Sequence, residues 1–422
     1  MLKYFKIDKK RDLLVPDFMC YQMDLIGPVN KAIAAGELVG DLKYLPSWTK
    51  ISKNPIKAKG FLTRMFGALF LGIGGHDELN VDYQIEAYES HARVAMMFFS
   101  ADNKQLKMIG DIAKQTLSGY EVIVLCGDSI HNGRAMNNKI SESVVKEIIE
   151  SGKPVLIISA NMAQRSFSIP EITELYLAYD KGENGTTIQK MSRTLTPNGK
   201  DKIGRIFSLS FDPNRDDKFD AMIVETAINY KKCNQVKSLH DAMKAVLRTI
   251  DIFSCQPDGA VKMNVDTYLE AALERKGISR VLGKQVNLSH LPKSIISALA
   301  NGNVDYLTNE RQDVAITGKT SEETTEKTSS VAVKSNKDTA LEEARKVIVT
   351  ILENIDVIIL GTGKDILADA MVVIKNDNEM RQCVMEEFGV SVETIDFLIE
   401  KDVIKQHWVE LLYDNQKVNY VS

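Results

Sequence analysis

Gln189 and Arg193 lie four residues apart in the helix-prone stretch Thr187–Leu195. At that spacing two side chains leave one face of a helix. A guanidinium bonds phosphate oxygens in pairs, and an amide orients a water or an oxygen, so the pair suits a polyanion. An exposed helix carrying a solvated arginine fits the same two residues. A second group of polar side chains, Ser159, Asn161 and Arg165, follows the apolar run Val155–Ser159 and precedes Pro170. A long polar loop in that place requires an explanation, because a buried strand is normally followed by a short turn.

The elements around these residues supply one. Arg93–Ser100, Glu121–Leu125, Val155–Ser159, Glu174–Asp180 and Arg205–Phe211 are short apolar runs, as expected of strands buried on both faces. Between them, Leu106, Ile109 and Ala113 share one helical face, as do Ile140, Val144, Val145, Ile148 and Ile149. Strand alternating with helix predicts a mostly parallel sheet with helices on both faces. Ligands of such sheets bind beyond the carboxyl ends of the strands. The loop after Ser159 leaves such an end, and so does the chain after Ser100.

The 422 residues carry a net charge of −4, with 44% hydrophobic and 26% charged residues. That balance is ordinary for a soluble protein and gives no global attraction to a polyanion, so any nucleic-acid contact must be local. One such local cluster is Lys53, Lys57, Lys59 and Arg64, either phosphate-facing or a solvated face. Five dispersed cysteines and six histidines show no zinc-type spacing. The expectation is a cytoplasmic protein without a membrane segment. After Asp212 the chain reads as helical. Trp48 and Trp408 read as packing residues, and His131 and Arg134 as part of a surface loop.

The ordered set of strand Ala95–Ser100, strand and loop Pro154–Pro170, and helix Thr187–Leu195 followed by strand Arg205–Phe211 resembles the second motor domain of superfamily-two helicases, in which motifs four, five and six occur in this order. The resemblance covers about 120 residues well. It implies a RecA-like α/β domain followed by helical domains. It also implies that Ser100, Ser159, Asn161 and Arg165 contact the nucleic-acid backbone, with Arg165 also able to reach ATP. Gln189 and Arg193 would face the γ-phosphate, where an arginine stabilises developing charge. Three positions depart from the usual pattern: Ser166 and Ser192 replace glycines, and Thr196 replaces the second arginine of the sixth motif.

A complete helicase also has a first motor domain with a phosphate loop. Gly318-Lys319-Thr320 has Asp313 where the first glycine belongs, and Gly361 to Lys364 has Ile358 there, with flanks that favour a turn between helices. The expectation is therefore a C-terminal helicase half. ATP and magnesium would be held mainly by a first motor domain supplied in cis or in trans, and single-stranded or forked DNA would be the partner. The expected organisation is 1–90 leading into the motor domain, 91–215 the motor domain, 216–317 a helical accessory domain, 318–337 a linker and 338–422 a C-terminal helical domain. A non-catalytic nucleic-acid-binding or regulatory subunit of the same fold is the alternative.

Overall fold

The computed structural model describes residues 17–44, 46–71, 93–126, 130–131, 134–135, 138–160, 168–180, 186–196, 202–212, 216–234, 236, 238–256, 259–275, 277–286, 288, 291, 293–300, 336–364, 367–406 and 408–413. The chain forms two units, Met1–Lys237 with Asp241–Gly277, and Ser238–His240 with Ile278–Ser422. Asn161, Arg165, Ser166, Gly318-Lys319-Thr320 and the expected linker lie outside the described residues.

The first unit is built on β1 (Asp17–Asp24), β2 (Val94–Phe99), β3 (Glu121–Leu125), β6 (Val155–Ser159), β7 (Glu174–Ala178), β8 (Ile203–Ser210), β9 (Asp251–Gln256) and β10 (Gly259–Lys262). Between β3 and β6 runs a two-residue ladder, β4 (Ile130–His131) with β5 (Arg134–Ala135), where the sequence predicts only a loop. The large sheet has the order β10-β9-β1-β8-β7-β2-β6-β3. Every neighbouring pair in it is parallel except β9 with β10.

Alternate residues of each strand serve opposite faces, and both faces are buried. On one face Met97, Phe99, Ile158, Tyr176, Phe207 and Leu209 join a core with α1 (Ile26–Ala34), α2 (Trp48–Lys53), α3 (Lys59–Leu71) and α4 (Asn103–Thr116). Phe253, Tyr21, Phe207 and Tyr176 stack across β9, β1, β8 and β7, with centroids 5.1, 4.9 and 4.7 Å apart. Strand register puts each ring directly opposite the next, so the ladder follows from the pairing. The opposite face meets α5 (Asn138–Glu150) and the segment α6 (Thr186–Met191), on which α7 (Lys218–Asn234) packs.

This is an α/β unit with a mostly parallel sheet, consistent with the RecA-like architecture expected, and a helical unit follows it. The five strands predicted between residues 93 and 211 are all present. Two regions differ from the sequence expectation. Residues 1–90 supply β1, a central strand, as well as α1 to α3. The chain after Asp212 is not all helical, since β9 and β10 close the sheet on that side. The strand β1 mixes Asp17, Gln22 and Asp24 with apolar residues, so it shows neither a continuous apolar run nor clean alternation, and Ile250 and Phe253 continue the helical spacing of α8 (Leu239–Leu247).

In the second unit, Asn336–Glu353, Ile355–Thr362, Leu367–Asn376, Asn378–Phe388 and Val392–Glu400 are helices. Ile348, Ile351, Ile359, Met371, Ile395 and Leu398 are buried among them. The helix Ile355–Thr362 is followed by Gly363 at φ +63, a backbone that favours glycine. The stretch around Gly361 is thus a helix and its stop, as its flanks suggest, and not a strand feeding a phosphate loop.

Candidate nucleotide and nucleic-acid edge

β2 lies between β6 and β7 in parallel register, with Phe98 opposite Ser159 and Leu177. The chain leaving β2 at Ser100, the chain leaving β6 at Ser159 and the chain leading from β7 to α6 therefore depart side by side from one edge. The residues singled out in the sequence differ in what they present there. Ser100 is exposed, two residues before Asp102, whose carboxylate caps α4 by accepting the Gln105 amide at 2.9 Å. Ser159 is fully buried, and its hydroxyl donates to the Leu125 carbonyl at 3.3 Å. A phosphate contact from Ser159 would require that bond to be given up.

Gln189 and Arg193 are both half-buried, but they do not share a single α-helical face. The helix ends at Met191 and continues as a 3-10 turn, Ser192–Leu195. The sequence explains the change of winding. The Ser192 hydroxyl donates to the Gln189 carbonyl at 2.8 Å, and the Thr194 hydroxyl donates to the Met191 carbonyl at 3.0 Å. Such bonds compete with the regular ladder. The turn also presses on β8 at Gly204, where an added Cβ would come within 3.0 Å of Thr194. Ser192, which stands where the resembled family has glycine, thus helps to form the turn that carries Arg193.

Behind these residues lies a buried ionic cluster that sequence inspection missed. The Lys190 ammonium sits 4.3 Å from the Tyr179 ring centroid and 5.4 Å from that of Phe98. Lys218 is 1% exposed, pairs with Asp216 at 3.1 Å and lies 5.8 Å from the same Tyr179 ring. Asp216 also accepts from the Ser208 hydroxyl on β8. Further along α7, Asp220 accepts from Arg275 at 2.7 and 2.9 Å and from the Tyr268 hydroxyl at 2.7 Å. Buried charges need such partners. The available signal was the run Asp216-Asp217-Lys218 at the start of α7, where solvated charge is the default expectation.

No protein-family model matches this chain, and no curated protein matches it. Among solved structures, one match is the ATP-dependent Type ISP restriction-modification enzyme LlaBIII bound to DNA. The identity is 9% and the TM-score 0.30, with 97% of this chain and 26% of that chain covered. The chain thus spans about a quarter of that enzyme, and a likeness of that size carries no argument about function. No helix among the described residues is long and apolar enough to cross a membrane. Among the same residues, no three His, Cys, Asp or Glu side chains are gathered as a metal-holding group.

One further residue acts at the opposite end of the sheet, just before β7 and β8 begin. Lys202 donates to the Pro170 carbonyl and to the Thr196 carbonyl, both at 2.7 Å. It therefore joins the end of the long loop to the end of the 3-10 turn. Burial pulls its ammonium down to about 8, partly opposed by Glu171. An unfolded lysine ionises near 10.5, so between those values the unfolded chain holds more protons and stability rises with pH. The cost of burying the charge is present below pH 8 and is relieved as pH climbs towards 10.5. Thermal unfolding of wild type and Lys202→Met across pH 7–11 should show this contribution only in the wild type. Equal slopes in the two proteins would show that Lys202 titrates as an exposed lysine.

Proposed function

We propose that this chain is the second motor-domain portion of an ATP-dependent DNA helicase or translocase of superfamily two. It would complete an ATP site shared with a first motor domain, in cis or in trans, and contact the nucleic-acid backbone. The observation that supports this reading most is the adjacency of β6, β2 and β7 in parallel register, so that the segments leaving them start side by side at one carboxyl edge. In this reading Ser100 and the loop carrying Asn161 and Arg165 follow the strand's phosphates. Gln189 and Arg193 face the γ-phosphate of ATP, and Arg193 offsets charge that builds in the transition state. The first motor domain would hold most of the nucleotide and its magnesium.

A non-catalytic DNA-binding subunit with this fold is the second reading, favoured by the Ser159 hydroxyl being committed to the sheet. Binding and turnover separate the two. The chain alone should bind single-stranded DNA weakly, with affinity falling as salt rises. It should hydrolyse ATP in a DNA-stimulated way only when a first motor domain is supplied. Turnover that never appears with such a domain would favour the subunit reading, and no DNA binding even at low salt would overturn both.

A further inference from the structure

We propose that the helical layer ahead of β2 carries a second contact for single-stranded nucleic acid, continuous with Ser100, in which lysines hold phosphates and Tyr44 stacks on a base. This rests on the reading that the carboxyl edge of the sheet faces nucleic acid.

Charge is the first observation. From Gly40 to Arg64 the basic residues are Lys43, Lys50, Lys53, Lys57, Lys59 and Arg64, against the single acid Asp41, in a chain whose net charge is −4. Arg64 is committed to Glu37, and Lys57 lies 3.7 Å from Asp41, both partners of that second pair being largely exposed. Lys43, Lys53 and Lys59 are also exposed. An exposed pair of that kind is worth little and exchanges readily for phosphate.

The second observation is aromatic and apolar exposure in the same place. Tyr44 is 83% exposed and Ile56 68% exposed, whereas neighbouring Trp48 is fully buried. The fold brings these parts together. The 3-10 turn Gly40–Lys43, which ends at Tyr44, lies against the segment 54–58, with the Val39 amide donating to the Lys57 carbonyl at 3.3 Å. A ring free on both sides beside several ammonium groups is the arrangement that tracks single strands without regard to sequence.

The third observation is position. Gln105, in the first turn of α4, donates from its side-chain amide to the Lys53 carbonyl at 3.4 Å, so the basic segment abuts the helix that follows Ser100. Trp48 and Thr49 present their amides to Asp180, just past β7, at 2.7 and 2.9 Å. The Trp48 indole donates to Leu209 of β8 at 2.8 Å. These bonds fix α2 at the carboxyl end of the sheet. The carboxylates of both acids at that junction are occupied, Asp180 by α2 and Asp102 by the α4 cap.

The test is the binding of a fluorescent oligo-dT to the full chain across a salt series. Tyr44→Ala should weaken binding about tenfold and leave the salt slope unchanged. Tyr44→Phe, which keeps the ring, should bind as wild type. Lys53→Glu with Lys57→Glu should flatten the logarithmic salt slope by about 1.4, and the glutamine pair by as much. Thermal unfolding should be unaltered in every variant, since these side chains are exposed. Wild-type binding by all variants would overturn this proposal while leaving the carboxyl-edge reading intact. Absence of binding by the wild type would overturn both. Preferential binding to vesicles of anionic lipid would assign the strip to a membrane surface and overturn it as well.

Discussion

Replacing Arg93 with alanine should destabilise the first unit by about 3–5 kcal/mol, the loss expected when one partner of a buried ion pair is removed. Arg93 immediately precedes β2 and is 11% exposed, and its partner Glu174 on β7 is 3% exposed. The guanidinium donates to Glu174 at 2.7 to 3.0 Å, to the Tyr176 and Tyr120 hydroxyls at 3.1 and 3.2 Å, and to the Leu69 carbonyl at 3.0 Å. Burial works against the charge, but Tyr176 and Glu174 outweigh it and hold the guanidinium above its ordinary range. Without Arg93, a carboxylate would remain in the core with the Tyr176 hydroxyl as its hydrogen-bond donor at 2.8 Å. The double change Arg93→Leu with Glu174→Leu should recover much of the loss, because no unpaired charge is left. Urea unfolding of the three variants measures this. A cost below about 1 kcal/mol for Arg93→Ala would mean that the pair behaves as an exposed one.

Arg193→Ala should act on chemistry instead. In an enzyme reconstituted with a first motor domain, kcat should fall about a hundredfold while DNA affinity stays nearly intact, because the proposed function needs the charge chiefly in the transition state. The side chain rises from a 3-10 turn held by Ser192 and Thr194, so its placement depends on that turn. Single-turnover hydrolysis and DNA titration on the same preparations separate the two effects. Lost DNA binding with preserved turnover would assign Arg193 to the nucleic acid.

The centre of the sheet is legible in the sequence because β2, β3, β6, β7 and β8 are apolar runs separated by helices of clear period. Their order along the chain is enough to anticipate a mostly parallel sheet. What stays hidden is what depends on distant partners. The run around Tyr21 looks irregular until its neighbours Phe207 and Phe253 are known. The resemblance implies a phosphate contact for Ser159, while its hydroxyl donates to Leu125 of the neighbouring strand. Lys190 sits inside the QKMSR stretch as an apparent surface residue, yet it is buried with its ammonium beside the rings of Tyr179 and Phe98. The pairing of Gln189 with Arg193 presumes an unbroken helix, and two hydroxyls end that helix at Met191.

The insertion of β1 between β8 and β9 governs how the chain is made. On the ribosome, Asp17–Asp24 emerges roughly 190 residues before the strand it pairs with at Ile203, a wait of about 10–40 s at ordinary elongation rates. Its other neighbour, β9, comes later still. During that interval β6 can join β2 to β3 and β7 can add beside β2, while β1 has no partner on either edge. Closing so long a loop is slow compared with forming local helices. The nascent chain therefore carries an unpaired strand for nearly half of its synthesis, until β8 is complete.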